Sequence, residues 1–384
     1  MQLFARYLTL LALLVSAPSA LGTERHAPPP EFAPGSGNAV TQADRIPPYR
    51  PRYGRTSPVV AVIAENSGTE LVDFVIPYAV LAQSGAAHVV TVSTQAGPVK
   101  MRPALRIQTE STIDQFDARF PEGADYLIVP AMVKRDDPVL LTWILAQAGK
   151  GGTIVSICDG ALVIANAGLL RNHRATAHWA TQSLREKAYP DTKWLRNVRY
   201  VVDGKIVTSA GISAAIPTSL ALVEAIAGRD VAAVVARQIG VDDWSTAHDS
   251  DQFLPKFGVN LTAFAATMMT NHWFHSTQSI GVPLAQGMDD IALAFTADAY
   301  SRTGRSQAFG LSVSSAPVGT RHGLTVLPDR VVGSPNPVDQ VLPAFDAMPS
   351  SHMLDAALAD IAARYGRSTA YGVALDFEYP GFRK

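Results

Sequence analysis

Short unbroken apolar runs recur along this chain from residue 58 onward, and most are followed by a stretch with apolar residues at helical spacing. Val59–Ile63 reads as a buried strand and Glu70–Ser84 as the helix after it. His88–Ser93, Tyr126–Pro130 and Thr153–Ile157 repeat the strand signal, with helices expected over Pro138–Gly149, Ala161–Leu170 and Ser219–Gly240. Arg199–Val202 and Lys205–Thr208 flank Asp203-Gly204, which predicts a hairpin. Strands that are apolar throughout are covered on both faces. Their alternation with helices predicts an α/β fold around a mostly parallel sheet.

The text before residue 58 is different. Arg6, the apolar run Tyr7–Val15 and the small residues of Ala17–Gly22 have the layout of a secretory signal peptide, expected over residues 1–22. The run falls short of the roughly 20 residues of a membrane span. The expectation is an exported protein, periplasmic in a bacterial source, with an uncleaved N-terminal anchor as the alternative. Residues 23–57 are rich in Pro, Gly and polar residues and read as a disordered or extended linker.

Slid along itself, the chain aligns the stretch 68–108 with a later one without a gap. Gly68 meets Gly287, Gly85 meets Gly304, Ser93 meets Ser312, and Arg102 meets Arg321, a constant offset of 219 (287 − 68). Gly228-Arg229 and Gly366-Arg367 match as well, at an offset of 138 (366 − 228). The reading is a duplication whose second copy is shorter in its middle by the difference, about 81 positions (219 − 138). Residues 58–250 then form a first domain, 251–280 a connector, and 281–384 a degenerate copy without the cysteine stretch and with Ala292 in the place of Asp73.

With 47% hydrophobic and 17% charged residues, the chain is too apolar for a disordered protein. Lys+Arg number 32 and Asp+Glu 33, a balance without the basic excess of a nucleic-acid binder. The single cysteine, Cys158, excludes an intramolecular disulfide and a zinc site built from several thiolates. It sits where an apolar strand gives way to Asp159-Gly160-Ala161 and a helix, the look of a nucleophile elbow. A helix N-terminus there would lower the thiol pKa and offer N–H groups to an oxyanion, and Gly160 would allow close packing behind the turn. A small buried core residue is the alternative for a lone cysteine.

Ser156–Ala161, Ala165–Leu170, Ala175–Trp179, Thr208–Ser213 and Val235–Gly240, with Leu71–Tyr78 near the start, resemble the ThiJ/PfpI superfamily of class I glutamine amidotransferase-like proteins. The likeness runs from about 58 to 250 and is nearest to the isonitrile hydratase-like branch and the amidase-like sensor domains of AraC-type regulators. It implies a flavodoxin-like three-layer sandwich. Carried over by position, it implies Cys158 as nucleophile, Asp73 as the acid facing the sulfur and His178 as a pocket histidine. The backbone at Asp159, Gly160 and Ala131 would line the oxyanion pocket. A protonated Asp73 could donate to a thiolate, so the pair is expected to share a proton and titrate together. Two departures stand out. Asp159 follows the cysteine where the peptidase-like branch has His, and Ala131-Met132 follow Pro130 where the family tends to Gly-Gly.

His272 and His275 are spaced like metal ligands, but Trp273 and Phe274 between them favour an interface or packing segment, and His248–Ser250 reads as structural. No metal and no cofactor is expected. The resemblance implies a cysteine-dependent hydratase or hydrolase acting on a small electrophile, or a ligand-binding or redox-sensing module. The second unit would make a pseudo-dimer within the chain, or the protein a homodimer.

Overall fold

The computed structural model describes residues 45–344 and 348–382; the expected signal peptide, and the expected linker as far as residue 44, lie outside the described residues. In β1 (Val59–Ala64) every residue is buried because the strand has two covered faces. Val60, Val62 and Ala64 join one layer of the core, and Val59, Ala61 and Ile63 the other. After β1 come β2 (Thr69–Glu70), α1 (Leu71–Ser84), β3 (His88–Ser93), β4 (Val99–Arg102), β5 (Arg106–Gln108), β6 (Ser111–Thr112) and α2 (Ile113–Arg119). Next are β7 (Tyr126–Val129), α3 (Pro138–Gly149), β8 (Thr153–Ser156), α4 (Gly160–Asn166), β9 (Arg174–Ala175), α5 (Gln182–Ala188) and β10 (Lys193–Trp194). The hairpin β11 (Tyr200–Asp203) and β12 (Ile206–Ser209) leads to α6 (Ala215–Ala227) and α7 (Arg229–Ile239).

Seven of these strands form one sheet in the order β11-β12-β8-β7-β1-β3-β6, parallel except for the β11–β12 pair. Helices α1, α6 and α7 cover one face, and α2, α3 and α4 the other. This is the three-layer sandwich expected from the sequence. The chain winds outward from β1 to β3 and β6, then returns to β7 and winds the other way. The carboxyl ends of β1 and β7 therefore flank a topological switch point, where open α/β sheets bind ligands.

Three local readings shift. Ser219–Gly240 is two helices, because Gly228 takes φ 89° and ψ 165° between α6 and α7. The hairpin turn is Gly204-Lys205, with Asp203 paired to Ile206; Gly204 at φ 63° suits the first central position of a two-residue turn. The helix expected over Ala161–Leu170 begins at Gly160 and ends at Asn166. The last part of the expected linker is also held in place. Ile46 is buried, Arg52 donates to the carbonyls of Lys150 and Gly151, and Arg55 pairs with Asp125.

A connector carrying two short helices, α8 (Leu261–Ala265) and α9 (Asn271–Phe274), ends at β13 (Gln278–Pro283), which begins shortly before the expected start of the second unit. Then come α10 (Asp290–Ser301), β14 (Ser306–Ser312), β15 (Val318–Gly319), β16 (Thr325–Leu327), β17 (Arg330–Val331) and β18 (Gln340–Val341). Helices α11 (Met353–Tyr365) and α12 (Arg367–Asp376) complete it. Its parallel sheet runs β17-β14-β13-β18, the counterpart of β6-β3-β1-β7. Helix α10 packs on α1, and one hydrophobic core is continuous through both units. A further sheet, β15-β16-β5-β4-β2, crosses from one unit to the other through an antiparallel β16–β5 pair.

Candidate functional site

Cys158 lies between β8 and α4 with φ 55°, a left-handed conformation that a side chain rarely takes. The turn is tight because Gly160 sits against the β7 backbone: a Cβ there would lie 2.0 Å from the Val129 carbonyl oxygen. The Asp159 N–H donates to the sulfur, and the Cys158 N–H to Ser209 Oγ at 3.2 Å. The elbow read from Asp159-Gly160-Ala161 is thus present, beside the switch point.

Asp73 enters from the first turn of α1 and is fully buried. Its Oδ2 accepts from the Ala131 N–H at 3.2 Å, while Oδ1 is buried without a hydrogen-bond partner. The Ala131 N–H expected for an oxyanion is therefore engaged by Asp73, and the Ala131 carbonyl accepts from the Glu70 N–H. Burial pushes the Asp73 carboxyl up to about 8, although the Ala131 N–H and the Arg302 guanidinium pull it down.

The thiol does not follow the helix-terminus expectation. Burial pushes Cys158 well above its ordinary range, and the carboxylates of Asp73, Asp159 and Glu70 push it further, against the Asp159 N–H. Desolvation and like charge here outweigh the dipole of a helix of seven residues. Burial also raises Asp159, against the pull of His178, the Thr181 hydroxyl and Arg185. Thr181 Oγ1 donates to Asp159 Oδ1 at 2.7 Å.

His178 stands beside this group with both ring nitrogens engaged. Nδ1 accepts from the Ala180 N–H at 3.2 Å, so Nε2 carries the proton and donates to the Asp376 carbonyl at 2.9 Å. A base role toward the sulfur would require breaking that bond. The acceptor belongs to the second unit, one of several contacts that the sequence reading missed. The Trp179 indole donates to the Leu375 carbonyl, and the Gly211 N–H to Glu378 Oε2 at 2.6 Å. His248 Nε2 meets Glu378 Oε1 at 2.9 Å, so the histidine read as structural braces the site. Arg302, which caps the C-terminal end of α10, pairs with Glu70, Asp298 and Asp376.

The profile of the DJ-1/PfpI family matches residues 59–225. The isonitrile hydratase of Pseudomonas putida is 32% identical over 169 residues, 42% of this chain and 70% of that protein. The chain belongs to the DJ-1/PfpI family. The HTH-type transcriptional regulator CdhR of Pseudomonas aeruginosa is 28% identical over 149 residues, 38% of this chain and 43% of that regulator. The crystal structure of Drosophila melanogaster DJ-1beta superposes with a TM-score of 0.45 at 22% identity, covering 49% of this chain and all of that one. The DJ-1/PfpI match ends at residue 225, so Arg302, Asp376 and Glu378 lie beyond it.

Trp273 and Phe274, read as an interface or packing segment, are exposed, which removes packing and leaves the interface untested. Among the described residues, no group of three or more His, Cys, Asp or Glu side chains is arranged to hold a metal ion. Among the same residues, no helix is long and apolar enough to cross a membrane.

Proposed function

We propose that this DJ-1/PfpI protein is an exported cysteine-dependent enzyme that adds water across a carbon–heteroatom bond of a small electrophile, such as an isonitrile, a reactive carbonyl or an amide. The observation that carries the reading is the left-handed Cys158 elbow beside a buried carboxyl at about 8. A carboxyl titrating near neutrality is matched to proton transfer at working pH. The sulfur would bond to the electrophilic carbon while Asp73 gives its proton to the substrate and takes the one leaving the thiol. With an isonitrile, water would then add across the C=N bond of the covalent adduct, and the sulfur would depart with a proton, restoring the thiol. With an amide, the amine would first leave with a proton from Asp73, and water would then hydrolyse the acyl–sulfur bond, giving the acid and the thiol. The Asp159 N–H would steady charge on the sulfur, and His178 would line the pocket as a fixed donor.

A turnover assay over isonitriles, reactive carbonyls and amides tests this. Cys158→Ser is expected to abolish activity, and Asp73→Asn to lower kcat on the order of 10²–10⁴-fold. Full activity in Cys158→Ser would overturn the reading. A second reading, a ligand-binding module, is favoured by the burial of Cys158, 6% exposed, together with the match to a regulator. The same burial and the raised thiol count against a thiol-oxidation sensor. Saturable binding of the same compounds without turnover would favour it.

A further inference from the structure

The two units meet in a symmetric register. In the antiparallel β5–β16 pair, Ile107 faces Val326, Arg106 faces Leu327 and Gln108 faces Thr325. Val326 is the counterpart of Ile107 at the repeat offset (326 − 107 = 219), and at the same offset Thr325 matches Arg106 and Leu327 matches Gln108. Each strand thus meets its own counterpart about a local two-fold axis, the signature of an isologous interface. The flanking strands obey the same axis: Val99 pairs with Ile107 as Val318 pairs with Val326. Helix α10 begins at the position that the offset assigns to the start of α1 (290 − 71 = 219), and the two pack on each other. Gly366, between α11 and α12, repeats the φ of 89° that Gly228 has between α6 and α7.

The second unit also reaches the cysteine site. Arg302, at the end of α10, pairs with Glu70 of β2, Asp298 of its own helix and Asp376 of α12, and its guanidinium lies 5.3 Å from the Phe377 ring centre. Glu70 immediately precedes α1, which carries Asp73, and the Glu70 N–H donates to the same Ala131 whose N–H binds Asp73. The carbonyl of Asp376 holds His178. One guanidinium therefore ties together the segments that hold the acid and the histidine.

The geometry points to the second unit as a built-in subunit, seated where a second copy of the first would lie, with Arg302 as the positioning residue it supplies to Asp73. The inference deepens the enzymatic reading and rests on its choice of site, but not on turnover. The charged and titratable groups around Asp73 are Glu70, Arg302, Asp298, Asp159 and Cys158. Arg302 supplies the cation among them, and Asp376 competes for it.

The experiment uses the full chain. Its mass is measured by light scattering, and the Asp73 carboxyl is titrated by infrared difference spectroscopy against Asp73→Asn. The protein is expected to be a monomer; a symmetric dimer formed through the first unit would overturn the built-in subunit. Arg302→Gln is expected to move the Asp73 midpoint upward by at least one pH unit, a tenfold change in proton affinity, and Arg302→Lys to restore it. Asp376→Asn frees Arg302 for its other partners and is expected to move the midpoint downward. An unmoved midpoint in folded Arg302→Gln would overturn the positioning role. If that variant does not fold, an unmoved midpoint in Asp376→Asn would do so. Absence of turnover with the midpoints shifting as stated would sink the enzymatic reading and leave this one standing.

Discussion

At the scale of single residues, the decisive quantity is where protons sit. Asp73 has an ordinary value of 3.8 and is pushed by burial to about 8 in the folded protein. The stability this carboxyl contributes is complete below the unfolded value and is lost as pH rises through the folded one. Between these limits the loss approaches about 1.4 kcal/mol per pH unit. Denaturant melts at several pH values are expected to show the wild type weakening from pH 5 to 8 and Asp73→Asn showing a flatter profile. Parallel profiles would contradict the burial argument. Gly160→Ala is expected to cost about 3 kcal/mol or more, because its Cβ would meet the fixed Val129 carbonyl. The elbow at Cys158 was legible in the residues around it, whereas Asp73 came only from the family resemblance. The raised thiol was not legible, because its first cause is burial, which depends on elements distant in the chain; the carboxylates of Asp73, Asp159 and Glu70 add to it.

At the scale of elements, the sequence located six of the seven strands of the main sheet and most first-unit helices, since an apolar run covered on both faces writes itself into the sequence. It passed over the break at Gly228, because the apolar spacing on either side continues. Gly228 holds φ 89° and ψ 165°, which a side chain tolerates poorly, so Gly228→Ala is expected to cost about 1–3 kcal/mol in chemical denaturation. The segment Arg45–Ser57 reads as linker by composition, yet Arg52 and Arg55 fix it to the first unit through partners far along the chain, at Gly151, Gly123 and Asp125. The end of α12 and the residues after it are a second such case. Leu375, Asp376 and Glu378 receive hydrogen bonds from Trp179, His178 and Gly211, and nothing in their own sequence announces it. Truncation before Leu375 is expected to speed alkylation of Cys158 at fixed pH. An unchanged rate would mean that this segment does not cover the thiol.

At the scale of the whole molecule, the sequence carries scattered identities at a constant offset, while the contact between the two stretches that they relate left no mark in it. Arg302 and Glu70 come from opposite ends of the folded chain, and no local pattern couples them. One core runs through both units, so calorimetry is expected to show a single cooperative transition rather than two. Two well-separated transitions would contradict the continuity of that core.

The symmetric strand pair has a consequence for how the protein responds to concentration. A molecule made of two equal halves would carry two centres able to influence one another. Here the two-fold axis relates a half bearing Cys158 to one bearing Ala292 where Asp73 would be, and no cysteine at all. One chain then offers one centre, and cooperativity needs at least two coupled sites. Saturation by any ligand of the Cys158 centre should follow a simple hyperbola with a Hill coefficient of about one. What remains for the second half is constitutive, acting on that centre whether or not a ligand is bound.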